Sequence, residues 1–340
     1  TMSASAATQA YRASLLYFTA DPTRDANATH YLEDGLLLIR DGHVVAASDY
    51  ASVPAAQRRQ LTITDYRGKL LLPGFVDTHI HFPQTEMIAS YGEQLLEWLN
   101  SYTFPTERKF ADAGYARQRA GFFINELLRN GTTTALVFAT VHPQSVDALF
   151  EAAAAKQMRL IAGKVLMDRN APDYLRDTAQ RGYDESRALI RKWHHHGRLL
   201  YAVTPRFAPT STPQQLALAG KLLQEFPDVY LQTHLSENLQ ELDWVRELFP
   251  EAESYTDVYR RMGLLGPRTL LAHGIHLGRQ ERDLLRETGA HLAHCPRSNA
   301  FLASGSFAAT DVVMVSGGVS DVIAGMAAVN AGTLTQDAMV

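Results

Sequence analysis

Between residues 70 and 294, short apolar runs alternate with stretches in which apolar residues recur every three or four positions. The runs are 70–78, 133–138, 159–166, 199–203, 229–233, 269–272 and 290–294. Each is continuously apolar, as expected of a parallel strand buried on both faces. Helical periodicity fills the intervals at 112–129, 144–156, 174–195, 213–225, 238–248 and 279–288. Gly131, after Arg129-Asn130, reads as a helix stop, and Pro213 after Thr212 as a helix first turn. This alternation predicts a parallel α/β architecture, a TIM-like (β/α)8 barrel rather than a doubly wound sheet. No G-x-G-x-x-G or G-x-x-x-x-G-K-[ST] loop follows an early strand, which argues against a nucleotide-binding fold.

The N-terminal part has a different rhythm. Its first fifteen residues are small and polar and read as a loose start. Short β-like runs follow at Ser14–Phe18, Gly35–Ile39, Val44–Ala46 and Leu61–Thr64, and Asp41-Gly42 marks a hairpin turn. Residues 1–68 therefore read as a small β-sandwich module, and 69–340 as the barrel.

Composition narrows the function classes. The chain has 340 residues, 46% hydrophobic and 20% charged, with ample length for a large core. A net charge of −4 offers no basic excess for a nucleic-acid partner. No apolar run approaches membrane-spanning length, and the N-terminus lacks the basic-then-apolar layout of a signal peptide. Cys295 is the single cysteine, so no internal disulfide can form, and a cytoplasmic setting is the default.

Chemistry concentrates where the predicted strands end, the place where barrels build active sites. His79 and His81 share one strand, and alternation points residues i and i+2 the same way. An isolated H-x-H is more often two unrelated histidines. Here His234 ends the fifth predicted strand and His273 the sixth, and convergence of three strand ends makes coincidence a poor account. Such imidazoles suit zinc, and equally iron(II) or another divalent ion. Glu237, three residues after His234, can exchange protons with water and substrate; its bland alternative is a solvated carboxylate at a helix N-terminus. Gln84 can pair with a heterocycle edge, Arg206 can hold a carbonyl oxygen, and Phe207 can stack on a ring. Trp193-His194-His195-His196-Gly197 reads as a helix end with Gly197 as cap. His276, His291 and His294 show no partner pattern, and Cys295 reads as a packed strand-end residue.

Several segments resemble the guanine deaminases of the amidohydrolase superfamily. They are Pro73-Gly74-Phe75-Val76-Asp77-Thr78-His79-Ile80-His81-Phe82-Pro83-Gln84, residues 95–107 with Glu97-Trp98-Leu99, Asn130-Gly131-Thr132-Thr133-Thr134, Thr204–Thr210, Thr233–Asn238 and Cys295-Pro296-Arg297-Ser298-Asn299. The resemblance spans about residues 14–307. H-x-H alone marks only the superfamily; Pro83-Gln84, Glu97-Trp98-Leu99 and Arg206-Phe207 together are specific to the guanine-acting branch. It implies one zinc per chain (iron(II) being the alternative) on His79, His81, His234 and an aspartate ending the eighth strand. It further implies Glu237 as proton shuttle, His273 either bonded to the activated water or close enough to ligate the ion, and Gln84, Arg206, Phe207 and Trp98 around the purine. The implied reaction is hydrolysis of guanine at C2 to xanthine and ammonia, in a cytoplasmic homodimer of purine catabolism, with neither nucleic acid nor membrane as partner.

The eighth-strand pattern, an apolar strand followed by Gly-Thr-Asp, is altered. Asp311 lies 16 residues after Cys295 (311 − 295), too few for a helix and a strand, whereas Asp321 lies 26 after it (321 − 295). Asp321 is the preferred ligand, with a role in catalysis as well. The chain also ends short of the family pattern, so the expectation is a barrel incomplete at its C-terminus and a β module lacking its later strands. Two competing readings are an amidohydrolase acting on another amino-heterocycle, such as cytosine or a triazine, and a truncated paralogue that binds without turnover.

Overall fold

The structure, a computed structural model, describes residues 8–22, 25–88, 90 and 95–305. These form two compact units, one reaching Gly74 and the other starting at Phe75. The first contains β1 (Gln9–Phe18), β2 (Thr29–Arg40), β3 (His43–Asp49) and β4 (Ile63–Leu71). They make one four-stranded sheet in the order β3-β2-β1-β4. β2 pairs antiparallel with both β1 and β3, while β4 runs parallel to β1. The β2–β3 turn is the expected Asp41-Gly42, with φ of 52° and 77°, the double positive φ that a two-residue hairpin of this kind requires. Ala10, Leu36, Leu38 and Val53 form its small core.

Two sequence expectations change here. The loose start gives way to a strand from Gln9, because Gln9 pairs with Ile39, a partner thirty residues away that no local pattern reveals. Leu70 and Leu71 end β4 of this sheet rather than opening the first barrel strand, and Leu72-Pro73-Gly74 separates the two strands. Proline has no N–H to donate to a ladder, so an apolar run through Pro73 cannot be one strand.

The second unit contains β5 (Phe75–His81), β6 (Thr132–Phe138), β7 (Arg159–Gly163), the short β8 (Val165–Leu166), β9 (Leu199–Pro205), β10 (Tyr230–Leu235), β11 (Thr269–His273) and β12 (His291–Ala293). The main path is β5-β6-β7-β9-β10-β11-β12, parallel at every step, with β8 pairing β9. Helices at Ala113–Arg129, Pro143–Ala155, Ala179–Trp193, Pro213–Glu225, Leu239–Leu248 and Arg279–Thr288 intervene. This is the strand-and-helix alternation of a (β/α)8 barrel.

Alternation along the strands sorts the side chains into two layers. Leu136, Ile161, Leu200, Ala202, Tyr230 and Leu270 pack together as one cluster inside the barrel. Their neighbours Val137, Leu160, Tyr201, Val203, Leu231 and Leu271 belong to the larger core beneath the helices. Both faces are apolar, which explains the continuous hydrophobic runs.

Candidate active site

The same alternation delivers the site. On β10, Tyr230 lies in the interior cluster, so Gln232 and His234 face inward with it. On β9, Leu200 and Ala202 are interior, and Thr204 and Arg206 continue that face. Ile80 packs against the outer core, leaving His79 and His81 to point into the barrel mouth. Gln232 Nε2 donates to the Val137 carbonyl (2.8 Å) and to Thr204 Oγ1 (3.1 Å), a polar floor beneath the imidazoles.

Ligand nitrogens of His79, His81 and His234 lie within 4.8 Å of one another. His81 Nε2 and His234 Nε2 stand 3.0 Å apart. Burial, and then the neighbouring imidazoles, push all three rings well below the ordinary histidine value of 6.5, so they are neutral. His234 Nδ1–H donates to the Arg206 carbonyl (2.7 Å), so its Nε2 carries the lone pair and turns it towards His81 Nε2. His81 Nδ1 is buried with no hydrogen-bond partner among the described residues. Two nitrogens on a tetrahedral zinc lie about 3.4 Å apart. Converging neutral imidazoles near that spacing, one fixed by an outer carbonyl, fit a divalent cation. Asp311 and Asp321, the candidate aspartate ligands, lie outside the described residues.

The loop after β10 and the last residue of β11 bring up the acid–base groups. Leu271 faces outward, so a regular strand would send His273 outward too. Instead His273 has φ of +74° and lines the same cavity as His79 and His81. Ser236 is similarly strained, at +51°. Gly274 N–H to the Leu235 carbonyl (2.8 Å) and Ile275 N–H to the Ser236 carbonyl (3.1 Å) lock these two turns together. His273 Nδ1–H donates to Asn299 Oδ1 (2.8 Å), which presents Nε2 to Glu237 Oε2 at 3.3 Å. Burial pushes the Glu237 carboxyl up to about 8, opposed by Arg206. Behind it, buried Glu241 accepts the N–H groups of Glu237 (2.9 Å) and Asn238 (3.1 Å) and the Tyr255 hydroxyl (2.8 Å). Tyr259 O–H donates to the His234 carbonyl at 2.8 Å. Glu241, Tyr255 and Tyr259 have no distinguishing sequence signal beyond the capping spacing of Asn238 and Glu241, whereas Asn299 ends the family-like run Cys295-Pro296-Arg297-Ser298-Asn299 with no sign of its bond to His273.

A cavity of about 600 Å³ opens over these groups. Gln84, Trp98, Arg206 and Phe207 all line it, together with the imidazoles and Glu237. Gln84 sits on a short 3-10 turn directly after β5, and its amide has no hydrogen bond to the described residues. Trp98 is buried, and its indole N–H has no partner among them. Both carboxylate oxygens of buried Glu107 accept from Arg206 Nη1, at 2.9 and 3.0 Å.

Two other clusters resemble ligand sets and fail on chemistry. His194, His195 and Asp228 converge just past a helix that ends at Trp193; its cap is His194, whose N–H bonds the Ile190 carbonyl, and not Gly197, which lies in the following turn. His194 Nδ1 accepts the Tyr201 N–H (3.0 Å), so its Nε2 carries the hydrogen and faces Asp228 at 3.2 Å. That nitrogen has no lone pair for a metal. Cys295 lies near His79 and His273, but burial pushes its thiol up to about 12 and its S–H points at the Ala293 carbonyl (3.3 Å).

Known proteins resemble the chain along most of its length. The chain is 56% identical to guanine deaminase of Escherichia coli (strain K12) over 287 residues, 84% of this chain and 65% of that protein. It thus spans just under two thirds of that relative's length. It superposes on the E. coli guanine deaminase structure with a TM-score of 0.86 and 53% identity, covering 90% of this chain and 72% of that one. The guanine deaminase of C. acetobutylicum, solved with guanine in its active site, gives a TM-score of 0.83 at 31% identity, over 91% of this chain and 72% of that one. Among the described residues, no helix is long and apolar enough to cross a membrane. The model of the amidohydrolase family matches residues 70–337, the span that holds the imidazoles, Glu237 and the cavity, and the chain belongs to that family.

Proposed function

We propose that this protein is a metal-dependent aminohydrolase that converts guanine and water to xanthine and ammonia. One observation carries the reading: Gln84, Arg206 and Phe207 line the same cavity as three converging imidazoles and a buried carboxyl. His79, His81 and His234 would hold the ion, zinc in this reading, with Asp321 proposed to complete the set. A divalent cation there supplies Lewis acidity, bringing a water within reach of deprotonation near neutral pH.

The chain's own residues do the rest. Glu237, beside His273 Nε2, takes a proton from the attacking water and delivers it to the ring nitrogen next to C2. Its buried carboxyl is held far above the ordinary range, so it can give a proton back as well as take one. His273, its tautomer set by Asn299, accepts a hydrogen bond through Nε2 and orients the water. Arg206 donates to the purine carbonyl oxygen, Gln84 pairs with the edge beside it, and Phe207 and Trp98 enclose the ring. Adenine carries an amino group where Arg206 requires an acceptor, which disfavours it. The motif resemblance also supports a cytoplasmic homodimer working in purine catabolism.

The test is turnover. Purified chain supplied with zinc and guanine is expected to release ammonia and xanthine in equal amounts, with about one metal per chain. Folded protein that binds no metal and leaves guanine intact, or that acts on cytosine instead, would overturn the proposal.

A further inference from the structure

Glu107 and Arg206 stand 99 residues apart and meet in the interior, with side chains 0% and 3% exposed. We infer that Glu107 is a positioning residue that aims the Arg206 guanidinium at the carbonyl oxygen of a purine, and thereby sets selectivity for oxopurines. This rests on the guanine reading above and names a residue that reading does not use.

The two ends of Arg206 are held by different structures. Its carbonyl belongs to the metal-site surroundings: it accepts from His234 Nδ1 (2.7 Å) and Thr233 Oγ1 (3.2 Å). Its guanidinium is held by the short helix Phe104–Glu107, through the two Glu107 oxygens and through the Phe104 ring, 5.5 Å from Cζ. Glu107 engages one nitrogen, Nη1, with both oxygens. Nε and Nη2 have no hydrogen-bond partner among the described residues, and Arg206 lines the cavity. A planar fork anchored at one corner keeps its remaining N–H groups in a fixed direction. Glu107 is not among the cavity-lining residues, so it can act on a ligand only through Arg206. An arginine this buried also needs a counter-charge to stay in place; without one it would turn towards water and lose its aim.

The experiment compares guanine with 2-aminopurine, which keeps the C2 amino group and lacks the carbonyl. Glu107→Gln removes the charge, and Glu107→Asp keeps it while retracting the carboxylate. With metal content measured alongside, Glu107→Gln is expected to lower kcat/KM for guanine by about 10- to 100-fold, mostly through KM, because the buried donor loses its aim. The value for 2-aminopurine should move by less than about 3-fold, and Glu107→Asp should fall between. Equal losses on both purines, or no loss on guanine, would overturn the inference. Should the wild-type chain turn over neither purine, the substrate reading has failed, and calorimetric Kd values for hypoxanthine and unsubstituted purine carry the same comparison without turnover. There a selective loss for hypoxanthine supports the clamp. Equal losses, or a wild-type chain that binds neither, overturn it.

Discussion

Glu237 shows how burial turns an ordinary side chain into an acid–base group. It is 3% exposed, and among the described residues His273 Nε2 is the polar group that meets its tip. Glu237→Gln keeps the shape and loses the proton, so kcat for guanine should fall by about 10²- to 10⁴-fold with metal content unchanged. A loss of metal in that variant would show that the carboxylate holds the ion rather than the proton. The same burial predicts how the metal-free protein responds to pH. Folded Glu237 and Glu241 titrate at about 8 and about 7, above their ordinary 4.5, so the folded chain retains protons that the unfolded chain releases. Their contribution to stability is therefore lost as pH rises from 4.5 through those values. The imidazoles of His79, His81, His234 and His273 are depressed below 6.5, so below that pH the unfolded chain binds more protons and stability rises with pH. Each unmatched proton is worth about 1.4 kcal/mol per pH unit. With His142 and His194 also depressed, and Asp77, Glu107 and Asp177 also raised by burial, six imidazoles face five carboxyls below pH 6.5 among the described residues, and of these groups only the carboxyls act above it. Urea unfolding of chelator-treated protein should therefore give a stability maximum near pH 6.5 and a decline towards pH 8, shallower in Glu237→Gln. A stability that keeps rising to pH 8 would refute the assignment.

At the scale of elements, strand alternation aims His79, His81, His234 and Arg206 into the barrel, and the turns that break alternation aim His273. Two close strands set the frame for this. A methyl group on Gly163, at the end of β7, would come within 1.8 Å of the Ala202 carbonyl on β9. That neighbour is backbone and cannot swing aside. Gly163→Ala should destabilise the chain by about 3 kcal/mol, the upper part of the range for overpacking, measured as a lower urea midpoint at unchanged m-value. A midpoint at the wild-type position would mean that β7 and β9 separate freely. Alternation was legible in the apolar runs, and with it the inward set. His273 was legible only as a histidine at a strand end, since its direction comes from a positive φ that no residue pattern demands. Glu107 lay in a segment that resembles the family, yet nothing local ties it to an arginine 99 residues later.

For the whole molecule, the proposed ion would staple β5 to β10, strands separated by about 150 residues of chain whose imidazoles meet across the barrel mouth. An ion that binds the folded chain alone stabilises it by about 2.7 kcal/mol at a hundred times its Kd. Chelation should lower Tm by several degrees and zinc should restore it, while His79→Ala should abolish the zinc-dependent shift. A Tm indifferent to chelation in protein shown to have contained metal would refute a role for the ion in joining the strands.

The amino-acid sequence by itself determined the elements and the chemistry they carry: the alternation of buried strands and amphipathic helices, the H-x-H on one strand, and the carboxylate one helix-start beyond a third histidine. These are periodic or short-range features, set by backbone geometry over a few residues. Tertiary structure alone decided the pairing of Gln9 with Ile39, the inward turn of His273, the carboxyl of Glu241 behind Glu237 and the clamp of Glu107 on Arg206. Each depends on groups remote in sequence or on strain that packing sustains, and such contacts exist only once the chain has closed on itself.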